Sequence, residues 1–432
     1  MTGEPPLSSR AVAREYFGTD GVRGVVGETL TAELVERLGR AAALWCDSGR
    51  VFVGRDTRAS GPELEEAFAA GISSAGGTAV LAGVLPTPAV ALLRLDLAAV
   101  ISASHNPPEY NGVKLFDREG RKLTDAAEEE IEALLDAPAQ GGGEIDRVQV
   151  AADSYLDHVL ERFGADLRGL RIAVDCANGA YAGLAPQAFT QLGAQVVAIG
   201  DEPDGSNINV DCGATSLGAL AGVVREGGFD LGIAFDGDGD RMLAVDERGE
   251  PVDGDQILAV LALDLGVDAV AVTTMTNLGF HRLMDERGIR VVVTDVGDRY
   301  VLEALRREGM RLGGEQSGHL IWLDGHVTGD GLVAALLLCR ALRGAPLSDR
   351  VAVMPRFPQV MENLPRRGHG PLPDELLSAV EQVNAALDGA GRVLVRPSGT
   401  EPVVRVLAEA ETAGAAEGLC ARVAALVKHE LG

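Results

Sequence analysis

Lysine is nearly missing from this sequence: Lys114, Lys122 and Lys428 are the only three in 432 residues, and arginine supplies the rest of the positive charge. Positive charge as a whole is in deficit. A formal net charge of −26 argues against a general nucleic-acid or anionic-membrane surface. An anionic small substrate stays open, because a local arginine cluster can reverse the field inside one cleft. Long apolar runs are also lacking. The longest, Leu332 to Cys339, is far short of a membrane span, and Met1 to Pro6 shows neither a basic nor an apolar leader pattern. Cysteine is scarce: Cys46, Cys176, Cys212, Cys339 and Cys420 are odd in number, scattered and never in C-x-x-C spacing. They read as small buried thiols of a reduced cytoplasmic protein, not as zinc ligands or disulfides. Aromatic residues make up 4% of the chain against 55 glycines, which fits an α/β enzyme with many tight turns.

What is present is a unit written three times. The chain is too long for one ordinary core, and three or four domains are expected. Helix-period apolar positions fill residues 31–46 and 63–75, with start signals at Thr31 and Pro62. Short strands are expected at Val51–Val53, Thr78–Leu81 and Leu97–Ile101. The stretch Gln140-Gly141-Gly142-Gly143 should mark a boundary, since no packed element tolerates that much backbone freedom. The plan restarts with strands at Arg171–Val174, Gln195–Ile199 and Leu231–Phe235, and again at Ala269–Val272, Arg290–Thr294 and Met310–Leu312. Helical patterns separate them, the signature of βαβ units and mostly parallel sheets. A proline-rich connector from Pro355 to Pro373 leads to a different last section, a small α+β domain with two adjacent strands at Val393–Val395 and Val403–Leu407. The expected domains are 1–146, 147–248, 249–356 and 357–432.

In each copy the third strand runs into an unusual loop. The first is Ser102-Ala103-Ser104-His105-Asn106-Pro107-Pro108, where the prolines forbid both helix and inner strand. It lies at the carboxyl end of a buried strand, where open α/β sheets bind ligands. Ser104 is the candidate reacting group. His105 is discounted as its base, because neighbours in an extended chain face opposite ways. Lys114, one of three lysines, is expected to serve as a compact, titratable ammonium. In the second loop Asp236, Asp238 and Asp240 alternate with glycine, so three carboxylates repel unless a hard divalent cation sits among them. An EF-hand would put glycine where Arg241 stands, and a helix where the strand precedes the loop. The third loop, Gly313 to His319, offers Glu315 and Ser317 to vicinal hydroxyls. Arg396-Pro397-Ser398-Gly399-Thr400 with Arg405 suits a dianionic phosphate.

These loops together resemble the α-D-phosphohexomutase superfamily, and within it the branch acting on glucosamine phosphates. Gly18-Thr19-Asp20-Gly21-Val22-Arg23-Gly24, Asp175-Cys176-Ala177-Asn178-Gly179-Ala180 and Val296-Gly297-Asp298-Arg299-Tyr300 add to the likeness, which covers essentially the whole chain. The resemblance implies three similar α/β domains and a C-terminal α+β domain, heart-shaped around a central cleft. It implies that Ser104 carries a phosphoryl group and that Asp236, Asp238 and Asp240 hold Mg²⁺ together with an oxygen of that phosphate. Arg23, Lys114, Arg241 and His319 would line the transfer site. Glu315 and Ser317 would grip the sugar, and Arg396, Ser398, Gly399, Thr400 and Arg405 its distant phosphate. Gln316 is typical of the glucosamine branch. The implied reaction interconverts glucosamine 6-phosphate and glucosamine 1-phosphate, feeding UDP-N-acetylglucosamine and cell-wall precursor synthesis, with glucosamine or glucose 1,6-bisphosphate as activator. A phosphoglucomutase or phosphomannomutase of the same fold is the alternative. The expected partner is a phosphorylated amino sugar, with a homodimer among the assemblies the resemblance allows.

Overall fold

The structure, a computed structural model, describes residues 15–18, 20–46, 49–366, 372–397 and 403–431. Its first three sheets share one wiring. In the first, strands Arg50–Arg55 and Thr78–Val84 are parallel, Leu97–Ile101 lies on the other side of Arg50–Arg55, and Tyr110–Phe116 runs antiparallel beyond it. Strands Arg171–Asp175, Gln195–Ile199, Leu231–Phe235 and Met242–Asp246 repeat that order. So do Ala269–Thr273, Arg290–Thr294, Leu312–Gly314 and Leu320–Trp322. In each copy the third strand therefore ends in its loop and the chain returns as an antiparallel neighbour. The repeat expected from the loops is real, and each copy delivers one loop at the same topological position.

The local signals work where they have a mechanism. Thr31 caps helix Ala32–Trp45 by accepting from Leu34 N, and Pro62 sits in the first turn of helix Gly61–Ser74. Residues 140–143 lie in no helix or strand, as expected, although Gln140 and Gly141 donate to Ser74 O and a Cβ on Gly143 would lie 2.1 Å from Gly77 O. Two expectations fail, each for a packing reason. The third strand of the third copy is displaced to Leu312–Gly314, because glycine lets it approach Val301 and Leu305 of the covering helix. The connector holds a strand, Gln359–Pro365, antiparallel to Val403–Ala410, so the last sheet has three strands and not two.

One apolar core runs through the three α/β units, joining Phe52 and Val100 to Phe189 and Phe235 and to Val272 and Leu337. Helix Gly331–Leu342, which holds the longest apolar run, is buried inside it. The last unit has a core of its own, built on Leu376, Val393, Val406 and Val423. All five cysteines are buried and free. Among the described residues no helix is long and apolar enough to cross a membrane.

Beside the capping box of helix Gly254–Leu265, Asp255 is buried, accepting from Asn277 N at 2.8 Å. Burial, with the neighbouring Asp253 adding, pushes its carboxyl up to about 7. A raised folded-state pKa lets the folded state hold the proton more tightly, so this group's contribution falls as pH rises from about 4 to about 7. Asp255→Asn is therefore expected to raise the melting temperature at pH 8 more than at pH 5. Equal shifts at both pH values would refute the assignment.

Candidate active site

Ser104 sits at a left-handed turn, φ +54°, and is buried. A non-glycine residue holds that conformation only when its surroundings fix it. Here Arg58 and Asn209 fix it. Arg58, wholly buried, donates to the carbonyl oxygens of Ser104 (3.0 Å), Asn106 (2.8 Å), Tyr110 (3.0 Å) and Pro107. Its Nε is held by Asp56 at 2.9 Å. Asp56 also accepts from Ser102 Oγ at 2.6 Å, and Ser102 Oγ in turn accepts from Ser104 N at 2.9 Å. Asn209, from the second unit, donates to Ser104 O at 2.9 Å and to Asn106 O at 3.1 Å. The turn aims Ser104 Oγ across the cleft, donating to Asp236 Oδ2 at 2.6 Å.

The turn also corrects the reading of His105. The backbone is bent, not extended, and His105 Nδ1 comes to 3.4 Å from Ser104 Oγ. Burial, then Arg241 and Arg23, lower the imidazole to about 4, so it stands neutral. At that distance the contact is weak.

Asp236, Asp238 and Asp240 are all buried, and one oxygen from each lies within 4.8 Å of the others. Asp236 Oδ1 accepts from the amides of Gly239 and Arg241, both at 3.1 Å. Burial, then repulsion from Asp240 and Asp238, pushes Asp236 well above the usual carboxylate range. Asp238 Oδ2 accepts from Thr87 Oγ1 and from Lys114 Nζ, each at 2.7 Å. Asp238 Oδ1 and Asp240 Oδ1 are buried with no hydrogen-bond partner. Converging carboxylates with orphaned oxygens are what a hard divalent cation satisfies, so the donor set fits one. Glu247, the rival EF-hand ligand, is engaged elsewhere, accepting from Ser348 N at 3.2 Å.

Around this triad the ion pairs cross all three α/β units. Lys114 Nζ also lies 3.4 Å from Asp240 and 3.5 Å from Asp20. Burial presses its pKa down, but Asp20, Asp238 and Asp240 outweigh burial and hold it well up. Lys114 is therefore a fixed cation here, not the titratable ammonium expected from the sequence. Asp20 pairs with Arg23 and with Lys122 at 2.5 Å. Lys122 reaches Asp298 at 2.6 Å, and His319 lies 3.5 Å from Asp298 and 3.7 Å from Asp240. Burial opposes charge on His319, yet Asp298 and Asp240 raise its pKa. Arg241 flanks Asp240 at 3.8 Å.

Glu315 is buried against Gly297 N at 3.0 Å, while Ser317 is exposed. Gln316, between them, faces away: its Nε2 donates to Gln359 Oε1 at 2.9 Å, on the first strand of the last unit. A residue that reads as a mark of sugar preference thus ties two units together. Arg396 and Arg405 stand opposite one another on neighbouring strands, and burial followed by Arg405 lowers the Arg396 pKa. Ser398, Gly399 and Thr400 lie outside the described residues, as does Thr19. Sequence reading missed Asp20, Asp56, Arg58, Thr87, Lys122, Asn209 and Asp298. Lysine scarcity could have flagged Lys122, and the quoted motifs contain Asp20 and Asp298. Nothing local marks Arg58.

Four family models cover this architecture in chain order. The Phosphoglucomutase/phosphomannomutase alpha/beta/alpha domain I model matches residues 14–141, domain II 153–249, domain III 253–357, and the C-terminal domain 352–426. The chain belongs to this family. The phosphohexomutase likeness read from the loops is thereby borne out over nearly the whole chain. Among relatives, a phosphoglucosamine mutase of Thermobifida fusca is 48% identical, covering 96% of this chain and 98% of its own. A phosphoglucomutase/phosphomannomutase family protein of Burkholderia thailandensis has a solved structure with TM-score 0.82 and 28% identity, covering 96% of this chain and 97% of its own. The N-acetylphosphoglucosamine mutase of Aspergillus fumigatus, solved with GlcNAc-6P and magnesium, shares the fold at TM-score 0.69 and 18% identity, over 97% and 96% of the two chains. The enzyme is a metal-dependent phosphohexomutase with a buried acidic triad.

Proposed function

We propose that this family member is a phosphoglucosamine mutase, interconverting glucosamine 6-phosphate and glucosamine 1-phosphate. The observation that carries the phosphoryl-transfer reading is Ser104 Oγ at 2.6 Å from a buried aspartate of a three-carboxylate cluster. The 48% identity to a phosphoglucosamine mutase supports the sugar.

Ser104, as its phosphate ester, gives the phosphoryl group to the free sugar oxygen and makes a 1,6-bisphosphate. The bisphosphate turns end for end and returns its other phosphoryl group to Ser104. Asp236, Asp238 and Asp240 would hold Mg²⁺, which when bound neutralises charge on the phosphoryl oxygens. Lys114, Arg23 and Arg241 supply fixed positive charge around the same oxygens, where preorganised charge is most effective, and His319 stands beside them. Glu315 and Ser317 take the sugar hydroxyls. Arg396 and Arg405, with residues 398–400, take the distant phosphate. A glucosamine or glucose 1,6-bisphosphate would prime an unphosphorylated Ser104. The four segments 1–146, 147–248, 249–356 and 357–432 would each bring one of these loops.

The test compares turnover of glucosamine, glucose and mannose 6-phosphates. A clear preference for glucose or mannose would make the enzyme a phosphoglucomutase or phosphomannomutase. Because Gln316 binds Gln359 and not the cleft, that comparison decides what the loop sequence does not. Removing divalent ions with EDTA is expected to abolish turnover, and Mg²⁺ at about a hundred times its dissociation constant to add about 2.7 kcal/mol of stability. A melting temperature indifferent to Mg²⁺ would refute the metal assignment.

A further inference from the structure

On the far side of the Lys122 network lies a cavity of about 370 Å³ at the seam of the first and third units, within the size range of small-molecule sites. Trp45, Leu123 and Leu302 give it an apolar wall and Arg121 and Arg306 a positive one, while Asp117 and Glu303 also reach its lining. In a chain with 64 acidic and 38 basic residues, a cation with no carboxylate in direct contact is unusual, although Asp117 and Glu119 act on Arg306 from further off. Among the described residues neither Arg121 nor Arg306 forms an ion pair. Arg306 Nη2 donates to Val327 O at 2.9 Å, while its Nη1 is buried with no partner. Burial and then the neighbouring Arg121 work against its charge, outweighing the pull of Asp117 and Glu119. An orphaned guanidinium nitrogen is costly, and a phosphate oxygen is its natural complement. A larger cavity of about 570 Å³, near Arg168 and Arg343, lacks this feature, since those arginines already pair with Asp166 and Asp264.

We propose that this seam binds a phosphate ester carrying a flat apolar group, of the size of a mononucleotide, and that its occupancy modulates turnover. The phosphate meets Arg121 and Arg306, and the ring lies against Trp45. The coupling is physical. Lys122 lines the cavity and also bonds Asp20 and Asp298 of the transfer network. Helix Asp298–Glu308 carries Leu302 and Arg306 on its cavity side and begins with Asp298 beside His319. An anion that draws Lys122 towards the cavity loosens its hold on both aspartates, and a lower kcat with little change in KM follows.

The experiment is calorimetric titration of the full-length protein with adenosine 5′-monophosphate, in the presence of saturating glucosamine 6-phosphate to fill the cleft. Inorganic phosphate and adenosine are titrated separately as its two halves. The expected result is binding of the nucleotide that exceeds that of either half. Arg306→Gln and Arg121→Gln should each weaken it by about tenfold, as loss of one charge-assisted contact would. Arg121 is exposed, so its substitution leaves folding intact. Absence of binding, or binding that both variants leave unchanged, overturns the proposal. Arg121 and Arg306 line the seam and not the cleft, so their effect on binding is independent of which sugar the enzyme prefers.

Discussion

Ser104→Ala is expected to fold normally and to lose at least about three orders of magnitude in turnover, or roughly 4 kcal/mol of transition-state stabilisation. The fold should tolerate the change because serine and alanine bear the same strain at φ +54°. The hydroxyl's one strong contact is to Asp236, whose carboxyl is already pushed towards its protonated form by burial and by Asp240 and Asp238. Net stability should therefore change by no more than about 1 kcal/mol. Intact-mass measurement gives a second readout. Wild-type protein incubated with a hexose 1,6-bisphosphate should gain one phosphoryl group, mapped to the peptide holding Ser104, and the variant should gain none. A wild-type Ser104 that is never phosphorylated would end the phosphoserine mechanism.

Arg58→Ala should be as damaging by a different route. The guanidinium closes four loop carbonyls and Asp56 around itself, and both members of that ion pair are wholly buried. Removing one partner of a buried pair leaves an uncompensated charge, at a cost of about 3–5 kcal/mol. Asp56 is already raised by burial against the pull of Arg58, so it would take up a proton at higher pH once the arginine is gone. The double variant Asp56→Asn, Arg58→Met should recover much of the melting temperature but not turnover, because Asn209 alone then holds the Ser104 carbonyl. Arg58→Lys keeps the charge but cannot fork to four carbonyls, so it should fall between. Full activity in the double variant would show that Arg58 serves stability alone.

These two residues mark what the sequence makes legible. Ser104 announces itself, since a buried strand that stops at Ser-His-Asn-Pro-Pro can only be a stiff polar loop. The aspartate triad is equally plain, because alternation with glycine at a strand end has few other meanings. Arg58 is different. Its importance lies in carbonyls 46 to 52 positions away that converge on it, a relation no local spacing carries. Lys122 and Asp298 are close only because the first and third units meet. The parallel strands were readable from apolar runs ended by turn residues. The antiparallel returns were not: Met242–Asp246 and Leu320–Trp322 follow the functional loops so closely that their apolar residues look like loop flanks. At Gly313 and Gly314, glycine reads as a turn where tight packing makes it a strand. The extended backbone that would turn His105 away from Ser104 is absent, because the left-handed turn at Ser104 depends on Arg58 and Asn209.

The continuous core of the first three units and the separate core of the last have a consequence for recombining such enzymes. Exchanging any one of the first three units with a relative would cut through the shared packing of residues such as Phe52, Phe235 and Leu337, and every side chain at the cut would need to match. The last unit meets the rest through polar links, among them Gln316 to Gln359, Asn277 to Phe357 and Arg392 to Thr276. Among the described residues its core is separate, so this unit is expected to graft as a module, carrying Arg396 and Arg405 with it.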